Sequence, residues 1–420
     1  MSWRAGIANA LITPLVPVKL AGFGDRTEPA AGVHDDLEVF AVWFDDGERA
    51  ACLLVLDLLG MSVEFSDPIR DAVAAELGLP REAVLTSSTH THSGPNAMTG
   101  GEQLGWATPG GYAALLVERC ADAARAAKAA AAPVTLHHAR APLPDDISYN
   151  RRSLPYEPWF AALELRGEDG ARVGVLANIA IHPVSLGSPW LEVSRDWVGP
   201  FREALVAAGG GTAVMLSGSL GDVNPVERHT DIPSHLAEAY DEASAIGAAA
   251  AVAVHDALAT AAPIAGPLRT HARRVTVPAE GMLAQLMGIT EDRVELVEWM
   301  LGDVHLVGIP GEAFHALGRA IDEARDGRAL LAGLAPAWHG YLPVPFGDGY
   351  EETVSLGAAA VTQLAAALIE GAFAREAMWR PRPTARGRAR AADTMHSRIR
   401  ERGRGRSSSR RVSRVAPPRA

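Results

Sequence analysis

Apolar residues fall along this chain in short blocks whose spacing alternates between strand-like and helix-like periods. Leu37–Phe44 and Ala50–Asp57 are almost continuously apolar and flank Asp45-Asp46-Gly47-Glu48, a cluster of turn formers, so the pair reads as a hairpin of buried strands. Asp67-Pro68 predicts a helix start with proline at the first position, running to about Leu77, where Gly78-Leu79-Pro80 ends it. Ala83–Ser88 reads as the next strand and leads directly into Thr89-His90-Thr91-His92. A glycine-rich loop follows, then an alanine-rich helix from about Gly111 to Ala131. Trp159–Leu165 and Arg172–Ile181 form a second hairpin across Glu168-Asp169-Gly170. Further on, Thr212–Ser217 and Gly302–Ile309 read as strands, and Pro200–Ala208, Leu236–Thr260, Glu312–Ala324 and Ser355–Trp379 as helices.

No internal repeat is present, and helical and extended patterns alternate from end to end. That pattern predicts one large α/β domain, residues 1–379, with a mixed β-sheet and surrounding helices. From about Arg380 the chain is Arg, Ser, Gly, Ala and Pro with almost no large apolar residue. Such a segment buries too little surface to offset its ordering entropy, so 380–420 reads as a disordered basic tail.

Composition supports the globular reading: of 420 residues, 48% are hydrophobic and 21% charged, ample for a large core. Charge adds an asymmetry. From Pro381 onward 13 arginines stand against Asp393 and Glu401, a balance of +11; the whole chain carries −11, so the remainder carries −22. A body that acidic argues against nucleic acid as the main ligand and leaves nucleic-acid or anionic-lipid binding, at most, to the tail. Cys52 and Cys120 are the only cysteines and lie in strand-like and helix-like runs, which predicts buried free thiols rather than a disulfide framework. Met1 to Thr13 shows no secretory pattern, and the most apolar stretch, Ala248–Val254, is short and bounded by Glu242 and Asp256. A cytoplasmic protein without a transmembrane span is expected.

Four places carry candidate chemistry. His90 and His92, two apart at a strand end, point the same way if the strand alternation continues, and imidazoles suit metal binding or proton transfer. His182 follows another apolar strand, Glu312 follows a third in Ile309-Pro310-Gly311-Glu312, and Gly221-Asp222-Val223-Asn224-Pro225 follows a fourth. Each has an ordinary alternative: hydrogen-bonded loop histidines, a glutamate favoured in a first helical turn, a simple turn. Taken together, all four lie just past strand ends, where ligand sites of open α/β sheets gather, and two histidines with a carboxylate form a common catalytic zinc set. His34 and Asp57 read as core hydrogen-bonding groups; His229, His235, His305, His315 and His339 as structural or surface residues; Trp338 and Phe346 as aromatic packing.

The motifs Gly32-Val33-His34, Ser88-Thr89-His90-Thr91-His92-Ser93-Gly94-Pro95, Asn150-Arg151, His182, Gly221-Asp222-Val223-Asn224-Pro225, Pro310-Gly311-Glu312 and His339-Gly340-Tyr341 occur in the order that resembles the N-terminal catalytic domain of neutral/alkaline (non-lysosomal) ceramidases. The resemblance implies a zinc ion on His90, His182, Glu312 and Tyr341, with Tyr350 as the alternative tyrosine, and with His92 and Arg151 beside the metal. It implies hydrolysis of a lipid or other small linear amide through a metal-activated water. Three departures qualify the substrate. Asn224 stands where ceramidases carry a serine, the C-terminal immunoglobulin-like domain is missing, and the family's secretion signal is not seen. The chain therefore resembles a shorter relative, for which a zinc hydrolase of another amide or ester, or a non-catalytic binding protein, are the rival readings.

Overall fold

The computed structural model describes residues 3–98, 111–226 and 236–373. The Arg-rich tail, the end of the helix expected to reach Trp379, and His229 and His235 lie outside them.

A nine-stranded mixed sheet organises the chain. Along its main path the strands are Thr212–Ser217, Arg172–Ile179, Trp159–Gly167, Ala132–Pro142, Trp3–Leu11, Glu38–Asp45, Ala50–Leu56 and Val84–Ser88, with Ala262–Pro263 paired beside Ala132–Pro142. The two outermost pairs, one at each edge, are parallel and the others antiparallel. Both expected hairpins form. Asp46 Oδ1 accepts the amides of Glu48 and Arg49 in the first turn, and Gly47 supplies the φ of 91° that the turn requires.

The apolar strands read as continuous because both faces are covered. Val39, Ala41 and Trp43 of one strand, with Cys52, Leu54 and Leu56 of its neighbour, pack beneath the helices Val63–Leu77 and Tyr112–Ala129. Phe160, Ala162, Val175 and Ala177 pack in the same way beneath Val198–Gly209 and Leu236–Leu258. The alternate residues, among them Val42, Phe44, Leu53 and Leu163, face a second sheet of Leu268–Pro278, Glu291–Leu301, Val304–Ile309 and Ala329–Gly333. Trp299, Leu306 and Leu330 meet them from that side, and Leu364 and Leu368 of the helix Ala358–Glu370 join the same core. The mixed α/β class expected from the sequence is the class observed, with this stacked second sheet as an addition. Cys52 and Cys120 are buried free thiols. Among the described residues no helix is long and apolar enough to cross a membrane.

Three local expectations are corrected. The first helix begins at Val63, so Pro68 lies inside it rather than at its first position. Glu312 is not in a first helical turn: Glu312–Ala313 is a short strand parallel to Tyr341–Leu342, and the helix runs His315–Glu323. Gly311 is the cause, since its own φ of 158° carries the chain on extended and Glu312 N–H bonds to Gly340 O at 3.1 Å. The last helix ends at Glu370, where Gly371, at φ 89°, turns the chain.

Candidate metal centre

Two edges of the large sheet meet at the site. In the ladder, Val84–Ser88 and Arg172–Ile179 run in opposite senses, because five antiparallel pairings separate them. Each strand-to-strand step twists the sheet by roughly 20–25°, so the path between the edges accumulates well over 100°. The C-terminal ends of both edges thereby arrive at one place, where the Ser217 hydroxyl donates to Ser88 O and the Ser87 hydroxyl to Gly333 O of the second sheet. The loops beyond those ends carry the candidate residues.

Backbone bonds stitch the loops together. His90 N–H donates to Leu58 O at 2.9 Å, His92 N–H to Pro183 O at 3.2 Å and His182 N–H to Val223 O at 3.0 Å. Gly221 N–H bonds Ala313 O at 2.8 Å and Arg151 N–H bonds Asp222 O at 2.9 Å. Asp222, buried, accepts from Asn150 Nδ2 at 2.6 Å and from the His315 amide at 2.7 Å, so the turn motif ties the loop of Arg151 to the helix after Glu312.

His90 and His92 converge by a route other than strand alternation. The strand stops at Ser88, and His90 sits at φ 72°, in the left-handed region. Their Nε2 atoms are 3.3 Å apart, and ring nitrogens of His90, His92 and His182, all buried, lie within 4.8 Å of one another. Glu312, also buried, places Oε2 3.2 Å from His90 Nε2 and 3.2 Å from His182 Nε2. His90 Nδ1 donates to Leu59 O at 2.5 Å and His182 Nδ1 to Val223 O at 3.0 Å. In their neutral forms both rings then turn an Nε2 lone pair toward the carboxylate oxygen, and a proton or a cation must stand among the three atoms to hold them together. A tetrahedral ion with bonds of about 2.0–2.1 Å separates its ligand atoms by roughly 3.3 Å, close to the spacing of Glu312 Oε2 from each imidazole nitrogen. The residues therefore fit a small divalent ion.

Electrostatics agree. Burial first, helped by Arg151 and His90 and opposed by Glu312, leaves His182 at about 4, neutral near pH 7. His92 is pushed well below the ordinary imidazole range, mainly by burial and then by His90 and His182. Burial opposes the charge on Glu312, but His90 and His182 hold it well below the usual carboxylate range. Tyr341 is buried, pairs in register with Glu312, and its phenol is raised by burial and by that carboxylate. Tyr350 is 65% exposed and stands with its ring 6.1 Å from that of Tyr341.

Arg151 lies over the Tyr341 ring at 5.7 Å, bonds Gly221 O at 2.7 Å, approaches Asn224 Oδ1 at 3.5 Å, and pairs with Glu351 at 2.9 Å. His92 is walled by Phe23, whose ring lies edge-on at 5.0 Å, and by Gly22, where any side chain would strike the imidazole. Arg26 bonds His92 O at 2.7 Å and three other carbonyls, of Ala21, Gly187 and Ser188.

Other candidates lie elsewhere. His34 pairs with Asp35, His339 with Asp292 and His305 with Glu298, and Phe346 is partly exposed. Asp57 is a core hydrogen-bonding group, as expected, and anchors Thr89 beside His90. Trp338 packs against the core, as expected, and in addition donates its indole N–H to Glu312 Oε1 at 2.9 Å. Its place just before His339-Gly340-Tyr341 was the one hint in the sequence.

Three buried histidines, His138, His182 and His315, are pulled down to about 4, each first by burial. Between that value and the ordinary 6.5 the unfolded chain binds protons that the folded chain refuses. Stability of the metal-free protein is therefore expected to fall as pH drops from 6.5 to about 4. Urea midpoints across that window check it, and a flat profile would contradict it.

The layered α/β domain gathers buried histidines and a carboxylate beyond its strand ends, a set that could hold a metal ion. The solved structures it matches are specific. Neutral ceramidase from Pseudomonas aeruginosa superposes with a TM-score of 0.74 at 17% sequence identity, over 92% of this chain and 76% of that one. A ceramidase complexed with C2 matches with a TM-score of 0.74 at 16% identity, over 92% and 77%. No protein-family model and no curated protein matches the sequence. The neutral ceramidase fold that the motifs resemble is the fold of this chain.

Proposed function

We propose that the chain is a zinc-dependent hydrolase of linear N-acyl amides, ceramidase-like in its reaction and acting on a lipid or other small amide. One observation carries this reading: His90 Nε2, His182 Nε2 and Glu312 Oε2 converge as lone-pair donors at about tetrahedral spacing, with both imidazole Nδ1 protons already committed to backbone carbonyls. Residues 1–379 form the catalytic domain in this reading and 380–420 a basic extension.

His90, His182, Glu312 and Tyr341 hold the ion. Tyr341 is preferred to Tyr350 because it is buried and pairs with Glu312. A bound zinc ion would supply Lewis acidity, lowering the pKa of water towards about 7 and polarising an amide carbonyl. His92, kept neutral by burial, faces the same point and can donate a hydrogen bond to developing oxygen charge, or accept a proton from the attacking water and pass that proton to the leaving amine. Arg151, fixed by Gly221 O and Glu351, orients the substrate or balances its negative charge. Asn224 lies beside it as a hydrogen-bonding group that cannot act as a nucleophile.

Metal-replete protein is expected to cleave at least one member of an N-acyl amide panel that includes ceramides. Activity should disappear on chelation and return with zinc. Asn224, in place of the serine, favours one alternative, a binding protein that keeps the fold without turnover. Bound zinc with no cleavage across amides and esters would establish that alternative instead.

A further inference from the structure

Glu312 has two carboxylate oxygens, and they are used differently. Oε2 lies 3.2 Å from both inner imidazole nitrogens, whereas Oε1 accepts the indole N–H of Trp338 at 2.9 Å. We infer that Trp338 is a positioning residue of the metal centre, whose N–H occupies Oε1 and so limits Glu312 to one oxygen toward a bound ion. This rests on the metal reading given above.

Trp338 is held firmly enough to do this. Its backbone N–H donates to Met61 O at 2.7 Å, and its ring packs against the core between the two sheets. The stretches bearing the two partners are bonded to each other twice, through Glu312 N–H to Gly340 O at 3.1 Å and His339 N–H to Pro310 O at 3.1 Å. Donor and acceptor therefore hang from one ladder of paired backbone. An indole N–H only donates, so it fixes the carboxylate without competing as a ligand.

Ion choice follows from the chemistry. A carboxylate free to use both oxygens suits large ions that take about six to eight oxygen ligands. A carboxylate reduced to one oxygen, beside two imidazoles, suits a small four-coordinate ion. Trp338 thus favours zinc over calcium without touching either.

The test uses the full chain, stripped by chelator and titrated with zinc alone or calcium alone against a competing dye. Trp338→Phe keeps the ring volume and removes the donor. It is expected to bind zinc roughly 10- to 100-fold more weakly than wild type, with less discrimination against calcium. The wild-type Trp338 indole proton resonance, identified by its loss in Trp338→Phe or Trp338→Gln, is expected to shift when zinc is added. Wild type that binds zinc, with Trp338→Phe within about twofold of it, overturns the inference and leaves the metal reading intact. An unmoved Trp338 resonance overturns it too, and if neither variant folds, zinc that moves none of the nine indole resonances of the wild type does so. Wild type that binds no zinc removes the metal reading and this inference with it.

Discussion

A protein carrying both His90→Ala and His182→Ala is expected to hold no zinc where the wild type holds about one ion per chain, and to cleave no amide above background. In the proposed site the two imidazoles supply two of the ligand atoms, and their loss leaves, of the buried cluster among the described residues, one ring nitrogen of His92 and the Glu312 carboxylate. The fold should survive. The lost His90 ring leaves Leu59 O without its donor, at a cost of about 1–3 kcal/mol, whereas Val223 O keeps the backbone N–H of residue 182. Elemental analysis beside circular dichroism separates the outcomes. Zinc retained by a folded double variant would show that other residues hold the ion.

The second large effect is on stability and concerns Asp57. This carboxylate is fully buried and accepts both terminal nitrogens of Arg202, at 2.8 and 2.9 Å, the Thr89 hydroxyl at 3.1 Å and the Glu38 amide at 3.0 Å. It joins the helix Val198–Gly209 to the residue before His90. Asp57→Ala leaves the Arg202 guanidinium buried over the Phe40 ring with no counter-charge. A loss of roughly 3–5 kcal/mol in urea unfolding is expected, because removing one member of a buried pair strands the other. Replacing both, with Asp57→Leu and Arg202→Met, should recover much of it. A single variant as stable as wild type would mean that water already reaches the guanidinium.

How far the sequence could be read depended on whether a feature was local. The two hairpins were legible because Asp46, Gly47 and Gly170 satisfy turn geometry within a few residues. The strands facing both layers were legible because double burial makes them continuously apolar. Leu268–Pro278 was not, since at its centre Arg273 is only partly buried and Arg274 exposed, and its pattern mimics a loop. Glu312 looked helical because the apolar spacing of Phe314 to Leu317 extends backward to it. Its pairing with Tyr341 is a long-range event that no local pattern announces. The candidate residues themselves were legible as motifs past strand ends, and the structure brings His90, His92, His182, Glu312, Tyr341, Arg151 and Asn224 into one neighbourhood. What stayed hidden was the means: a left-handed His90 and an indole proton on Glu312.

The opposed edges of the large sheet give the centre an unusual dependence on distance. Their meeting involves every strand between them, so the separation between His90 and His182 is expected to respond, like the readout of a torsion spring, to changes wound into the ladder far from the site. An inserted residue in Ala132–Pro142 or Trp159–Gly167, on strands that carry none of the ligands, would change that winding and pull the ligand atoms out of register. Zinc, by binding only the correctly wound state, would tighten the spring from the far end, and its affinity would gauge the regularity of strands it never touches.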